Sequence, residues 1–307
     1  MAGKIVILGV FVADTAYRAD RPPRMGETIL GNSFALGPGG KGSNQAVAAA
    51  RAGGETHFIT KLGRDPFADM ALDIWSSSGV IPEITQHDDS YTGAAYIFVE
   101  EATGDNAIIV CPGVARTISP DYIDGKAELI AGADVFMTQL EQPMDAAMRA
   151  LEIARKGGAR TILNPAPAAA LPDGMLALCD FVTPNESEIV VTSGRPDTNI
   201  DHASGAAKLA LPKGAGAAII TLGENGALYH DETRSEHIPA ITAGEVVETT
   251  GAGDAFNGGF ATAIARGMDP IDAVRFGCAT AGISVTRPGT APSMPKLEEI
   301  EALLAKT

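Results

Sequence analysis

Thr249-Thr250-Gly251-Ala252-Gly253-Asp254-Ala255-Phe256-Asn257-Gly258-Gly259 sets two glycines and one carboxylate at what reads as the first turn of a helix. Small residues there leave backbone N–H groups open, and a helix N-terminus carries a partial positive charge that attracts anions. An acid among those donors is badly placed to hold phosphate. It is well placed to take a proton from a hydroxyl that attacks one. The pairing points to phosphoryl transfer to an alcohol.

Working outward, the chain alternates from about residue 133. Asp134–Gln139, Thr161–Asn164, Asp180–Thr183 and Ala217–Leu222 read as strands, and Pro143–Lys156, Glu186–Thr192 and His202–Leu211 as helices. That rhythm predicts a parallel sheet covered on both faces. Upstream, Lys4–Val10 and His57–Gly63 read as strands, Ser43–Ala52 and Pro66–Ser77 as helices. Gly226–His230 and His237–Ala240 read as further strands, followed by helices starting near Gly253, Pro270 and Lys296. Asp14–Pro38 and Thr92–Val110 break the pattern as β excursions, expected to pair as a lid on one α/β core.

The chain has 307 residues, 45% of them hydrophobic and 20% charged, enough for a large core in a soluble globular protein. No apolar run approaches the roughly 18 residues of a membrane span. Met1-Ala2-Gly3-Lys4-Ile5-Val6 runs straight into a strand pattern, without the look of a signal peptide. Cys111, Cys179 and Cys278 are scattered and lack metal-ligand spacing, which suits inert thiols in the reducing cytoplasm. The net charge of −15 argues against nucleic acid or an anionic membrane as partner. It also repels nucleotide, so a nucleotide site needs helix N-termini and a divalent cation.

A second glycine cluster, Gly37-Pro38-Gly39-Gly40-Lys41-Gly42-Ser43-Asn44, contains a literal G-x-G-x-x-G. It does not follow the first strand directly, as a dinucleotide fingerprint should. It fails as a Walker A loop too: Ala35 stands where the first Gly belongs, and Gly42 where Ser or Thr should follow the Lys. Its glycines suit a helix-entry turn or a close backbone approach to a small polar ligand, with Lys41 and Asn44 as hydrogen-bonding groups. Glu141, Asn164-Pro165-Ala166-Pro167, Asn185 to Glu188 and Thr221 to Gly226 each follow a strand. In open α/β sheets that edge is where ligands bind. Each has a plainer reading as a solvated loop, a rigid turn, a helix cap with Asn185 as N-cap, or a tight hairpin.

Together these loops resemble the ribokinase (PfkB) family of carbohydrate kinases over nearly the full chain. Gly39-Gly40-Lys41-Gly42-x-Asn44 and Thr250-Gly251-Ala252-Gly253-Asp254-x-Phe256 carry the resemblance, supported by Gly26-Glu27-Thr28, Asn164-Pro165-Ala166-Pro167, Asn185-x-x-Glu188 and Thr221-Leu222-Gly223. It implies a three-layer α/β sandwich with a mostly parallel central sheet. The core would comprise residues 1–13, 39–91 and 111–307, and a β-sheet lid residues 14–38 and 92–110. It further implies ATP- and Mg²⁺-dependent phosphorylation of a primary sugar hydroxyl, K⁺ activation, and a homodimer clasped through the lid.

Carried over by position, the residues at Val12, Asp14, Gly40, Lys41, Asn44 and Glu141 would line the sugar and Asp254 would be the base. Gly251, Ala252 and Gly253 would form the anion hole. Asn185, Thr221, Gly223 and Gly226 would lie along ATP, with Glu188 near magnesium. Glu248, Thr250, Ser284, Arg287, Gly289 and Ser293 would hold the monovalent cation, mostly through backbone carbonyls. Two positions depart from the family pattern: Val12 replaces an Asn and Glu248 an Asp. With Val12, 2-deoxyribose or a ketohexose such as tagatose or fructose stands beside D-ribose as acceptor. Outside catalysis, the alternatives are a sugar- or nucleotide-binding regulator on the same fold and a dinucleotide oxidoreductase.

Overall fold

The computed structural model describes residues 3–192 and 211–307. Most of the helix expected over His202–Leu211 lies outside them. In chain order the elements are β1 (Lys4–Leu8), β2 (Val12–Ala19), β3 (Ser33–Gly39), α1 (Lys41–Arg51), β4 (Glu55–Gly63), α2 (Pro66–Ser78), β5 (Ile81–His87), β6 (Thr92–Glu100) and β7 (Asn106–Gly113). Then follow α3 (Pro120–Asp124), α4 (Ala127–Ala131), β8 (Val135–Thr138), α5 (Met144–Gly157), β9 (Arg160–Leu163), β10 (Phe181–Val182) and α6 (Glu186–Thr192). Beyond residue 210 come β11 (Ala217–Thr221), β12 (Ala227–Asp231), β13 (Ser235–Ile238), α7 (Ala252–Ala265), α8 (Pro270–Ser284) and α9 (Leu297–Leu304).

The large sheet has the order β13-β12-β11-β10-β9-β8-β1-β4-β5. It is parallel from β5 to β11 and turns antiparallel at β12 and β13. In β1, Ile5, Val6, Ile7 and Leu8 are all fully buried. That continuous apolar run is what a strand covered on both faces requires. Successive side chains alternate between the faces. Ile5, Ile7, Met137, Ile162, Phe181 and Ile219 join one core with α1, α2, α7, α8 and α9. Val6, Leu8, Phe136, Leu163, Val182 and Ile220 join the other with α3, α4, α5 and α6. The expected three-layer sandwich is the observed one. No described helix is long and apolar enough to cross a membrane.

The two β excursions do pair. They form a second sheet of order β3-β2-β6-β7, with β2 parallel to β6 from Val12↔Gly93 to Ala19↔Glu100. Its strands begin at Val12 and run to Gly113, wider than the expected segments. β13 lies two residues earlier than expected, because the hairpin with β12 pairs His230 with Ser235. β5 is absent from the sequence reading. It is an edge strand whose residues are exposed or half-buried and which contains Pro82, so it carries no apolar run to read. α3 and α4, of five residues each, are too short to show a helical period.

Candidate active site

The C-terminal ends of β1, β8, β9, β10 and β11 open on one edge of the large sheet, where α1 and α7 begin. Gly40 caps α1 at φ 87°, and a Cβ there would lie 2.5 Å from the Val10 carbonyl oxygen. Only glycine lets α1 start so close to the end of β1. The turn brings Lys41, Asn44 and Gln45 to the sheet edge. The Lys41 N–H donates to Glu141 Oε2 at 2.8 Å, so the loop acid after β8 serves the open start of α1.

Gly251 caps α7 in the left-handed conformation at φ 83°, and no side chain caps this helix. Of the three expected anion-hole residues, Ala252 already donates its N–H to the Thr249 carbonyl at 3.1 Å. A Cβ on Gly253 would meet nothing within 4 Å, so the space above the first turn of α7 is open. Asp254 follows in that turn, only 7% exposed. Asn44 Nδ2 donates to its Oδ2 and Gln45 Nε2 to its Oδ1, each at 3.0 Å.

Asp14 lies on β2, its carboxylate against the backbone of Gly39, where an added Cβ would collide with it. Val12, also on β2, is buried, and its Cγ1 would lie 2.8 Å from a Cβ on Gly93. Asn44 Oδ1 is buried and lacks a hydrogen-bond partner among the described residues. A buried acceptor left that way is costly, and a ligand hydroxyl would relieve it.

The electrostatics gather four acids about one ammonium. Burial, with Asp254 adding, raises Asp14 to about 6. Burial raises Glu141 to about 7 against the pull of Lys41, with Asp254 and Asp14 adding. Asp254 is raised by burial and held back by Lys41 and the two amide bonds. Glu188 is raised chiefly by burial. Burial lowers Lys41, but Asp254, Glu141 and Glu188 outweigh it and leave the ammonium above its ordinary value. Groups perturbed this way, gathered at a sheet edge, mark a functional centre.

Asn185 caps α6: its Oδ1 accepts from the Glu188 N–H at 2.8 Å, while Glu188 Oε2 accepts from the Asn185 N–H at 2.9 Å. The capping reading of this segment therefore holds whatever else it does. Asn185 bridges to Thr221, and the turn Gly223–Asn225 with Gly226 follows β11, so these residues share one rim. Among the described residues no cluster of three metal-ligating side chains occurs. Glu188 beside that rim fits a magnesium ion held mainly by nucleotide phosphates and water.

The Glu248 carboxylate accepts the Gly289 N–H at 2.8 Å, and Arg287 pairs with Glu299. Ser284 accepts the Arg287 N–H on its carbonyl, and the Ser293 hydroxyl donates to the Thr290 carbonyl at 2.7 Å. Thr290 packs on Gly251 and donates to the Pro38 carbonyl. Glu248 and the turn 284–293 thus abut the start of α7 and the root of the small sheet.

Sequence reasoning missed Gln45, Gln139 and Asn257, and read Asn164 only as part of a turn. All four are buried amides on or under the Asp254 network. The available signal was an amide at position 45, directly before the Ala-rich run 46–50.

The family model described as "pfkB family carbohydrate kinase" matches residues 2–297. The chain is 37% identical to the ribokinase of Staphylococcus aureus, covering 98% of this chain and 99% of that protein. It is 35% identical to the deoxyribokinase of Salmonella typhi, covering 98% of each. Its fold superposes on the structure of Arabidopsis thaliana ribokinase complexed with ribose and ATP with a TM-score of 0.92, at 28% identity and covering 99% of each chain.

Proposed function

The chain belongs to the pfkB family of carbohydrate kinases, and from that premise we propose that it transfers the γ-phosphoryl group of ATP to O5 of D-ribose, with 2-deoxyribose as a second acceptor. The observation that carries the chemistry is Asp254 in the first turn of α7, which no side chain caps, bonded by Asn44 of the glycine cluster. Asp14, Lys41, Asn44 and Glu141 hold the sugar, and the backbone at Gly40 lets it approach. Asp254 accepts the O5 proton. O5 bonds to the γ-phosphorus as the bond to the β,γ-bridging oxygen breaks, releasing ADP. The first-turn N–H groups of α7 bind the charge that builds on the transferring group. Asn185, Thr221, Gly223 and Gly226 line the nucleotide. When bound, magnesium would neutralise phosphate charge, and Glu188 would be the carboxylate that holds it.

Val12 argues for the second acceptor. An amide that bonds a hydroxyl strongly rejects the sugar lacking it, whereas a buried apolar group rejects an added hydroxyl only weakly. Replacing Val12 by Asn is expected to raise the ribose-to-deoxyribose ratio of kcat/KM by about tenfold or more. A sugar panel read by ADP release, run on both proteins, measures it. An unchanged ratio removes Val12 as selector, and no sugar-dependent ADP removes the kinase reading.

Glu248 and the turn 284–293 are proposed to hold potassium beside Gly251. The contact of Thr290 with Gly251 supports this, since an ion there would brace the anion hole. The same panel in potassium, sodium and cation-free buffer tests it, and equal rates in all three exclude it.

The small sheet, residues 14–38 with 92–110, is proposed as a lid that excludes water from the transfer. One of its faces exposes Tyr17, Phe34, Leu36, Tyr96 and Ile109, with Tyr17 packed 5.0 Å from Phe34 and 5.5 Å from Tyr96 between ring centres. A second copy of the chain covering that face gives the homodimer. Light scattering on the purified protein decides, and a monomeric mass would exclude it.

A further inference from the structure

The two oxygens of Asp254 are held by different kinds of donor. Asn44, on Oδ2, belongs to the sugar-facing cluster. Gln45, on Oδ1, has no exposed surface at all. Its amide has one allowed orientation. Gln45 Oε1 accepts from Gln139 Nε2 at 2.6 Å, and its Nε2 donates to Asn164 Oδ1 at 3.0 Å as well as to Asp254. A flipped amide would set oxygen against the carboxylate and nitrogen against the Gln139 nitrogen.

Asn164 is fixed in turn, because its Nδ2 donates to the Thr183 carbonyl at 2.9 Å. Gln142 Nε2 donates to the backbone carbonyl of Gln139 and to Thr138 Oγ1, while Gln139 Oε1 is buried without a partner among the described residues. A buried amide ladder thus runs from the ends of β8 and β9 through α1 to the first turn of α7.

We propose that Gln45, oriented by Asn164 and bonded by Gln139, is a positioning residue that pins the inner oxygen, Oδ1, of Asp254, so that Oδ2, on the side of the sugar-facing Asn44, is the oxygen that takes the acceptor proton. The inference rests on the reading of Asp254 as the base. Gln45 reaches the reaction only through that carboxylate, because it is buried behind it. An N–H bonded to a carboxylate favours its charged, proton-accepting form. The other charged groups that face Asp254 are Lys41 from α1, Asp14 from β2, Glu141 from the loop after β8 and Glu188 from α6. All four are unchanged in the variants below.

The test is the single-turnover rate of phosphoryl transfer at saturating ribose and ATP, followed against pH for the parent, Gln45→Met, Gln139→Met and the double variant. Met keeps the volume and removes the donor. Without the N–H the carboxylate holds its proton more firmly, so the acid limb moves to higher pH, by about one unit in Gln45→Met. The sugar KM stays within about twofold of the parent, because no sugar contact is lost. Gln139→Met moves the limb the same way and adds nothing on top of Gln45→Met, as expected if it acts through Gln45. If Gln45→Met does not fold, Gln139→Met alone carries the test. A rate that falls equally at every pH, or effects of the two substitutions that add, overturns the proposal. Asp254→Asn run alongside separates the two ideas. An active Asp254→Asn removes the base itself, whereas an inactive one beside an unmoved limb removes only the role of Gln45.

Discussion

Asp254→Asn is expected to lower kcat by roughly 10²- to 10⁴-fold, the scale of losing a general base, while ATP binds as it does to the parent. Asn matches the shape of Asp but cannot take the O5 proton. The proposed nucleotide rim of Asn185, Thr221 and Gly226 makes none of the hydrogen bonds to Asp254, which come from Asn44 and Gln45, so ATP affinity should be spared. Stability should change little, because two effects oppose. The amide leaves one of the Asn44 and Gln45 donors facing an NH₂ group, which costs about 1–3 kcal/mol. Against that, the change removes a buried charge that burial already disfavours and that raises Asp14 and Glu141. Steady-state kinetics with titration calorimetry of ATP checks both halves. Turnover within about tenfold of the parent would mean that another group takes the proton.

What the sequence made legible follows from where its information is local. The Gly39–Asn44 and Thr250–Phe256 segments each encode a whole turn and helix start within a few residues. Their roles in placing Lys41, Asn44 and Asp254 could be read before any coordinates. The central strands were equally plain, because burial on both faces writes an unbroken apolar run such as Ile5 to Leu8. The amide ladder was not legible, because its members are brought together only by folding: Gln139 and Gln45 are 94 positions apart, and Gln45 and Asp254 are 209. Nothing in either neighbourhood announces the other. β5 was lost for the opposite reason, being an edge strand with little apolar content to mark it.

Gly253→Ala separates the fold from the chemistry at the point where they conflict. Gly253 is the second residue of α7, outside the positive-φ glycines, and a Cβ there has open space around it. For the empty protein, Ala is therefore the better residue, favoured in a helix by about 0.5–1 kcal/mol. The thermal midpoint without nucleotide should stay level or rise. For the reaction, Ala is the worse residue. A phosphate oxygen bonded to a first-turn N–H comes within about 2.7–3.1 Å of the nitrogen, and a methyl carbon beside it needs about 3.5–4.0 Å from its neighbours. The γ-phosphate is pushed off its donors, and kcat/KM for ATP should fall by about 10²-fold, the loss that follows removal of one such donor. The stabilisation that ATP gives the parent should shrink with it. A variant that is both more stable and fully active would place the transferring phosphate elsewhere than over α7. The opposite result would explain why a glycine stands where the helix itself favours alanine: the open space is kept for the phosphoryl group.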